Sequence, residues 1–438
     1  MKRPVVLFTV AATLWSVSAR AADPASSSVL APLDAIYPDL DKLYVDLHQS
    51  PELSYHEEKT AAKMADRLRA LGFEVTTGIA KTGVVGILRN GKGPTVMLRT
   101  DLDGLPVEEK TGLPYASKVT AKDDAGETVR VMHACGHDVH MTSWIGAATL
   151  LSRAKDRWRG TLMMVGQPAE EKGGGAAKML ADGLFTRFPK PDFAFAIHDS
   201  AQAPAGTVQP ISGFALANVD SVDVTIYGKG GHGAYPHTTV DPIVIAARTV
   251  LALQTIVGRE NNPLDPAVVT VGSIHGGTKH NIIPDEVRLQ LTVRSYKDDV
   301  RKRILASIER IAKAEAAAAG APKPPDVTTS EGTPAMYNDP AVTKRVADAL
   351  ARGLGADRVV EAQPVMGGED FSEYGRAGVP ATLVWVGAVE PKKYEASKAS
   401  GAPLPSLHSS EFAPDREATL RTGVKTVTLA ALELLGKP

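Results

Sequence analysis

The chain has 438 residues, which predicts more than one domain, and its 43% hydrophobic and 23% charged residues are typical of a globular protein. Its 49 basic and 50 acidic residues nearly balance, which argues against nucleic acid as the main partner. A single cysteine, Cys135, excludes an internal disulfide framework and a zinc site built from several cysteines.

The N-terminal segment is typical of a secretory signal peptide. Lys2 and Arg3 precede an apolar run at 5–17 that is short for a membrane span, and Ala19 and Ala21 offer small residues for cleavage. A buried first helix is the alternative. We expect residues 1–21 to be removed and the protein to be exported, into the periplasm in a Gram-negative cell. We expect no membrane span in the mature chain.

Residues 22–215 alternate helical and strand-like patterns, which predicts an α/β domain. Ser54 and Glu57 have the spacing of a capping box, in which each side chain bonds a backbone N–H at the start of a helix. Gly72 stands where that helix would end. Strand-like runs follow at 83–88, 95–98, 161–165 and 193–197.

The pattern changes in residues 216–331, which we predict to be an inserted domain. Val222, Val224 and Ile226 alternate with polar residues as in a half-buried strand. A helix is predicted from Asp241-Pro242 to Gly258, and the remaining elements are strands at 268–274, 287–293 and 327–329 and a helix at 300–311. The order β-α-β-β-α-β is that of a ferredoxin-like unit. Residues 332–438 resume the α/β pattern and end in a helix at 414–435.

Candidate metal ligands cluster around the cysteine. Cys135 and His137 stand two residues apart beside a glycine, so a thiolate and an imidazole can face one metal ion; a buried cysteine beside exposed histidines is the alternative. Glu170 and Glu171 follow a predicted strand, where one carboxylate can bind metal and the other can transfer a proton. Taken singly, such a Glu pair is usually a solvated turn.

His198 lies at another predicted strand end and His408 in a late loop. Each alone is more often structural than a ligand, but four sites of this kind together indicate a metal centre. His133 and His140 receive no role, and His48 is expected to be structural or exposed.

With these segments in place, the sequence resembles the M20 metallopeptidases, in particular the amidohydrolase branch with hippurate hydrolases and plant auxin-conjugate hydrolases. The resemblance covers nearly the whole mature chain. It rests on the segments already described and on further ones in the family's order, which are 47–53, 99–106, 231–237, 281–284 and 369–371. It implies a three-layer α/β catalytic domain, in the parts 22–215 and 332–438, with the inserted domain as a ferredoxin-like satellite.

The resemblance also implies a site with two divalent metal ions, zinc or manganese and possibly cobalt. Cys135 would bridge the ions, and the other ligands would be His137, Glu171, His198 and His408. Glu170 would be the general base and Asp101 would orient a ligand. His232 would stabilise the oxyanion in the partner subunit of a homodimer formed through the satellite domain. Asn281 and Arg294 would hold the substrate, the guanidinium pairing with a carboxylate.

The predicted function is metal-dependent hydrolysis of the amide bond of N-acyl amino acids or related small conjugates. One alternative is a dipeptidase or carboxypeptidase with the same metal site. Another, of a different class, is a non-catalytic periplasmic metal- or amino-acid-binding protein. Residues 199–204 and 392–406 depart from the family pattern, which leaves substrate preference as the weakest inference.

Overall fold

The computed structural model describes residues 24–437, so the predicted signal peptide at 1–21 lies outside the described residues. The helices are α1 (Pro24–Leu30), α2 (Leu33–Gln49), α3 (Glu58–Ala70), α4 (His137–Arg153), α5 (Gly175–Ala181), α6 (Leu184–Arg187), α7 (Pro242–Thr255), α8 (Asp298–Ala318), α9 (Pro340–Leu354), α10 (Ser372–Arg376), α11 (Pro391–Ser400) and α12 (Arg416–Leu434).

The strands are β1 (Glu74–Ile79), β2 (Gly83–Asn90), β3 (Thr95–Asp101), β4 (Thr120–Lys122), β5 (Thr128–Arg130), β6 (Gly160–Gln167), β7 (Phe193–Pro204), β8 (Val208–Gln209), β9 (Gly213–Leu216), β10 (Asn218–Tyr227), β11 (Gly231–His232), β12 (Ala267–His275), β13 (Ile282–Ile283), β14 (Glu286–Ser295), β15 (Asp326–Glu331), β16 (Met336–Asn338) and β17 (Ala381–Val389).

A seven-stranded mixed sheet forms the centre of the molecule, in the order β1-β2-β6-β3-β7-β17-β8. Its four middle strands are parallel. Val96 and Leu98 of β3 pack in the core that holds α4 and α12, whereas Met97 packs in the core with α5 and α10. Side chains that alternate between two covered faces explain the continuous apolar runs of these strands. The predicted α/β class with three layers is confirmed.

A second sheet, of four antiparallel strands, has the order β12-β14-β10-β15 and packs against α7 and α8. In chain order these elements run β-α-β-β-α-β, as expected. Val222 and Val224 of β10 share one core with Ile304 and Ile308 of α8. The domain boundaries at 215/216 and 331/332 stay a prediction.

Gly258 does not end its helix as expected. It lacks the positive φ of a glycine cap, and the chain continues past Thr255 as one π-helical turn, Ile256–Glu260. By length and composition alone, the combined stretch Pro242–Glu260 is apolar enough to span a membrane. Within it, 33% of the most apolar 18-residue segment is buried inside the protein.

The capping box predicted for Ser54 and Glu57 is wrong. Ser54 Oγ donates to the Asp103 carboxylate at 2.6 Å, and the Glu57 carboxylate accepts from the Ala169 N–H at 2.8 Å. Neither side chain bonds the start of α3; the Glu52 carboxylate accepts from two N–H groups there instead. Both predicted capping residues are buried, and they form their hydrogen bonds with buried polar groups around them instead of with the helix.

Candidate active site and metal centre

Three predicted site residues lie on or directly after the parallel strands of the central sheet. Asp101 ends β3, Glu170 follows β6, and His198 belongs to β7. Cys135 precedes α4 in a turn whose Gly136 has φ +77°, and a Cβ at Gly136 would lie 2.1 Å from Asp199 Oδ2. Only glycine fits this turn, which brings the thiol and the first imidazole of α4 to one edge of the sheet.

Four of the predicted metal ligands meet around the thiol. Cys135 Sγ lies 3.5 Å from His198 Nε2 and 3.2 Å from His408 Nε2. Glu171 approaches His408 Nε2 to 3.5 Å with one oxygen and His137 Nε2 to 3.7 Å with the other. The structure thus brings together all five side chains that the sequence suggests as ligands.

The donor atoms of this cluster fit a divalent cation. His137 Nδ1 lies 2.8 Å from the Asp103 carbonyl and His198 Nδ1 lies 2.8 Å from the Asp199 carbonyl. A carbonyl only accepts, so each Nδ1 carries a proton, and the neutral form of each imidazole presents its Nε2 lone pair to the cluster. His137 Nε2 and Glu171 Oε1 are buried without a hydrogen-bond partner within 24–437. Metal-binding histidines have this arrangement, and a cation would satisfy both atoms.

Burial changes the proton affinity of the groups in the cluster. It raises the pKa of the Cys135 thiol, and the nearby Glu171 carboxylate raises it further. A cation at Sγ would oppose both effects and hold the thiolate. Burial also raises the pKa of Glu170, with added repulsion from Glu369 and Glu171. A carboxylate with a raised pKa accepts a proton readily near neutral pH.

Asp101 connects the cluster to a buried network. Its two oxygens lie 2.8 Å from Arg99 Nη1 and 2.8 Å from His140 Nδ1. His140 Nε2 in turn lies 3.0 Å from Asp199 Oδ1, next to His198. His140 received no role from the sequence, although its position three residues after His137 on one helix face was a usable signal.

Arg99 is the centre of the buried charges. Its guanidinium lies 2.8 Å from Asp101, 2.9 Å from Glu369 and 3.0 Å from Asp370, and it also donates to Gln167 Oε1 at 3.0 Å. Arg99, Asp101 and both later acids are 3% exposed or less. The sequence placed Arg99, Glu369 and Asp370 in motifs without predicting that they meet.

A cavity of about 900 Å³ opens at the cluster. Its lining includes Cys135, Glu170, His198 and His408, and it also includes Arg294 of β14. Arg294 Nε donates to Thr292 Oγ1 at 3.0 Å, and its guanidinium has no carboxylate within salt-bridge distance in the described chain. The family departures also border this cavity, through Ser200, Ala201, Gln202 and Ser406.

His232 and Asn281 lie apart from this cavity. His232 belongs to β11, and Asn281 immediately precedes β13, the strand that pairs with β11. Among the described residues, neither is part of the cavity wall. The Ala234 N–H donates to His232 Nδ1 at 3.0 Å, so a neutral His232 carries its proton on Nε2. The exposed side chain therefore offers an N–H donor to another molecule.

The comparisons with known proteins agree with this geometry. The model of peptidase family M20/M25/M40 matches residues 97–409. Thermostable carboxypeptidase 1 of Saccharolobus solfataricus is 38% identical over 89% of this chain and 94% of its own length. N-acetyl-L-cysteine deacetylase of Bacillus subtilis is 40% identical over 75% of each chain.

Among solved structures, a Bacillus subtilis protein described as a dinuclear metal binding peptidase of the M20 family has a TM-score of 0.74 and 30% identity. The similarity covers 92% of this chain and 100% of that one. The family resemblance drawn from the sequence motifs is confirmed. This chain therefore belongs to peptidase family M20/M25/M40, and it is a hydrolase of amide bonds.

Proposed function

We propose that the protein hydrolyses the amide bond of N-acyl amino acids or related small conjugates, at a site that holds two divalent cations. The observation that carries the proposal is the junction of Cys135, His137, Glu171, His198 and His408 beside the buried carboxylate of Glu170. The deacetylase relative acts on an N-acetyl amino acid by its name. Zinc, manganese and cobalt all suit thiolate, imidazole and carboxylate ligands.

When bound, the cations polarise the substrate carbonyl and lower the pKa of the attacking water. Glu170 accepts the proton of that water and returns it to the leaving amine. Asp101 keeps His140 and Arg99 in place behind the ligands. Arg294 pairs with the substrate carboxylate, because its guanidinium is half-buried and free of a competing acid.

His232 acts in a second subunit, where its Nε2–H donates to the oxyanion that forms on the carbonyl oxygen. Asn281, whose carbonyl accepts from the Gly233 N–H just after β11, helps to hold the substrate. The dimer forms through the outer face of α7, where Val244 is 55% exposed and Leu251 is 72% exposed. An exposed apolar face of this kind marks an interaction surface. Since Ile245 and Leu253 of α7 pack on the four-stranded sheet, we assign the outer face to a dimer rather than to a membrane.

The decisive experiment is replacement of the base. Glu170→Gln and Glu170→Ala should retain the wild-type metal content and lose turnover of N-acetyl and N-benzoyl amino acids by at least about a hundredfold. The released amine is measured, with metal content by mass spectrometry. Full turnover in either variant would refute the assigned base.

A complementation experiment tests the role of His232 and the dimer together. Glu170→Ala and His232→Ala are each inactive alone, but co-expression should restore up to about a quarter of wild-type activity, because mixed dimers carry one complete site. No recovery in mixed dimers isolated with two affinity tags would contradict the action in trans.

The carboxypeptidase relative supports a second candidate, the hydrolysis of short peptides at the same site. A panel of N-acyl amino acids and matched dipeptides separates the two by kcat/KM. A preference for dipeptides would transfer the proposal to a peptidase. The family match favours either enzyme over a non-catalytic binding protein.

Export is proposed from residues 1–21 alone. In the native host, mature protein in the periplasmic fraction that begins at Ala22 would support it, and uncleaved protein in the cytoplasm would contradict it.

A further inference from the structure

The turn that carries the two glutamates is held from behind by buried carboxylates. Three consecutive backbone N–H groups, of Ala169, Glu170 and Glu171, donate to side-chain oxygens. The first donates to Glu57 Oε1 at 2.8 Å, and the next two donate to the two oxygens of Asp103 at 3.2 and 3.1 Å.

This turn needs such support, because Ala169 has φ +52°, in the left-handed region that residues with a side chain rarely adopt. A strained residue persists only where its surroundings hold it. The turn is also crowded: a Cβ at Gly175 would lie 1.6 Å from the Pro168 carbonyl oxygen. The direction of the Glu170 side chain therefore depends on what fixes the backbone of Ala169.

Glu57 is well suited to fix that backbone. It is fully buried, and its second oxygen accepts from the Thr82 hydroxyl at 2.6 Å. Burial raises its pKa to about 7, yet it makes no hydrogen bond to the helix it precedes. A buried acid that precedes a helix, but accepts a hydrogen bond from a distant backbone N–H instead, has a role away from that helix.

We propose that Glu57 is a positioning residue for catalysis, which sets the direction of Glu170 by accepting the N–H of Ala169. Glu57 touches neither the substrate cavity nor the metal ligands. It acts through the turn, and Asp103 holds the same turn by accepting from the next two N–H groups. The inference rests on the proposed function, since it assigns Glu170 as the base.

Two size-matched variants separate positioning from filling of space. Glu57→Gln keeps an oxygen that accepts from Ala169, and its amide can bond the Thr82 hydroxyl. Glu57→Leu keeps the bulk and removes the acceptor. We expect the leucine variant to lose kcat by at least about tenfold with KM within about threefold, since a misplacement near 1 Å can cost about a hundredfold. The glutamine variant should recover most of kcat.

Hydrogen exchange provides a readout that does not depend on activity. In Glu57→Leu, a peptide that begins at Val165 and includes Ala169 should exchange faster at one amide, whereas Glu57→Gln should keep the wild-type rate. Glu52→Ala is the control: Glu52 caps the same helix through Lys59 and Thr60 and does not contact the turn. It should leave both kcat and this exchange unchanged.

The inference is overturned if Glu57→Leu retains the wild-type kcat, or if the kcat of Glu57→Gln falls as far as that of Glu57→Leu. It is also overturned if Glu52→Ala loses as much kcat as Glu57→Leu. If the leucine variant does not fold, Thr82→Val replaces it, because it removes the donor to Glu57 Oε2 and should give smaller changes in the same direction. A wild-type enzyme without turnover on any amide would refute the proposed function, and the exchange data would then still decide whether Glu57 anchors the turn.

Discussion

Replacing Arg99 by methionine should destabilise the folded protein by about 3–5 kcal/mol, the cost of leaving buried charges without their partner. Arg99 lies within 3.0 Å of Asp101, Glu369 and Asp370, and its side chain and those of all three acids are 1% exposed or less. Methionine preserves most of the volume, so lost packing contributes little. The upper part of the range is expected, because three carboxylates lose one common cation.

The assay is urea unfolding of the metal-free protein, followed by the fluorescence of its tryptophans, with the free energy taken from midpoint and slope. Arg89→Met is the matched control, because Arg89 pairs with Glu74 at 2.7 Å on the surface, with both side chains more than half exposed. That variant should lose less than about 1 kcal/mol. In the double variant Arg99→Met with Glu369→Gln, removal of one stranded charge should recover part of the loss. If the unfolding free energies of Arg99→Met and Arg89→Met differ by less than about 1 kcal/mol, the network does not stabilise the fold as described.

Three further predictions concern Cys135 and His48. Cys135→Ser should lower the metal bound per chain, measured by mass spectrometry after dialysis, and unchanged metal content would refute a bridging thiolate. A thiol reagent should label native Cys135 only slowly and label it faster after chelation of the metal, and equal rates would show that no metal protects it. Although burial disfavours its charged form, hydrogen bonds to Asp138 and Glu109 raise the pKa of His48 to about 10. The stability from these pairs should therefore be fully present below about pH 6.5 and be lost as the pH rises through about 10, so the difference in unfolding free energy between wild type and His48→Gln should shrink over that range. A difference that stays constant with pH would contradict the stabilising role of the His48 pairs.

The sequence predicted which side chains meet at the candidate metal centre, and it did so for a physical reason. Glu171 follows the end of β6, His198 lies within β7 just beyond the part that pairs with β3, and Cys135 stands in a tight glycine turn. The ends of parallel strands converge at one edge of a sheet, so side chains that are far apart along the chain meet there. Local pattern and layer topology are enough to bring such residues together.

The contacts behind the ligands could not be predicted in this way. Arg99 and Asp370 are 271 residues apart, and no local pattern says which buried acid meets which buried base. Ser54 and Glu57 show the opposite case, since their local signature was present and tertiary contacts overrode it. A single sequence also carries no signal for where His232 acts, because its partner atoms belong to another chain in our proposal.

The balance of buried charge supports two cations rather than one. Seven carboxyl groups lie buried or nearly so around the cluster, and they are Asp101, Asp103, Glu170, Glu171, Asp199, Glu369 and Asp370. The cationic groups that face them are Arg99 and two imidazoles. Against the effect of burial, Asp101 and Asp103 raise the pKa of His137 well above its usual value, and Asp101 and Asp199 raise that of His140 to about 9. Buried anions without a counter-charge are costly, and they either bind protons or bind cations. Two divalent ions would neutralise more of this excess than one would, especially with Cys135 as a thiolate. The same excess explains why Arg99 is placed among three acids, since it reduces the repulsion that the metals must offset.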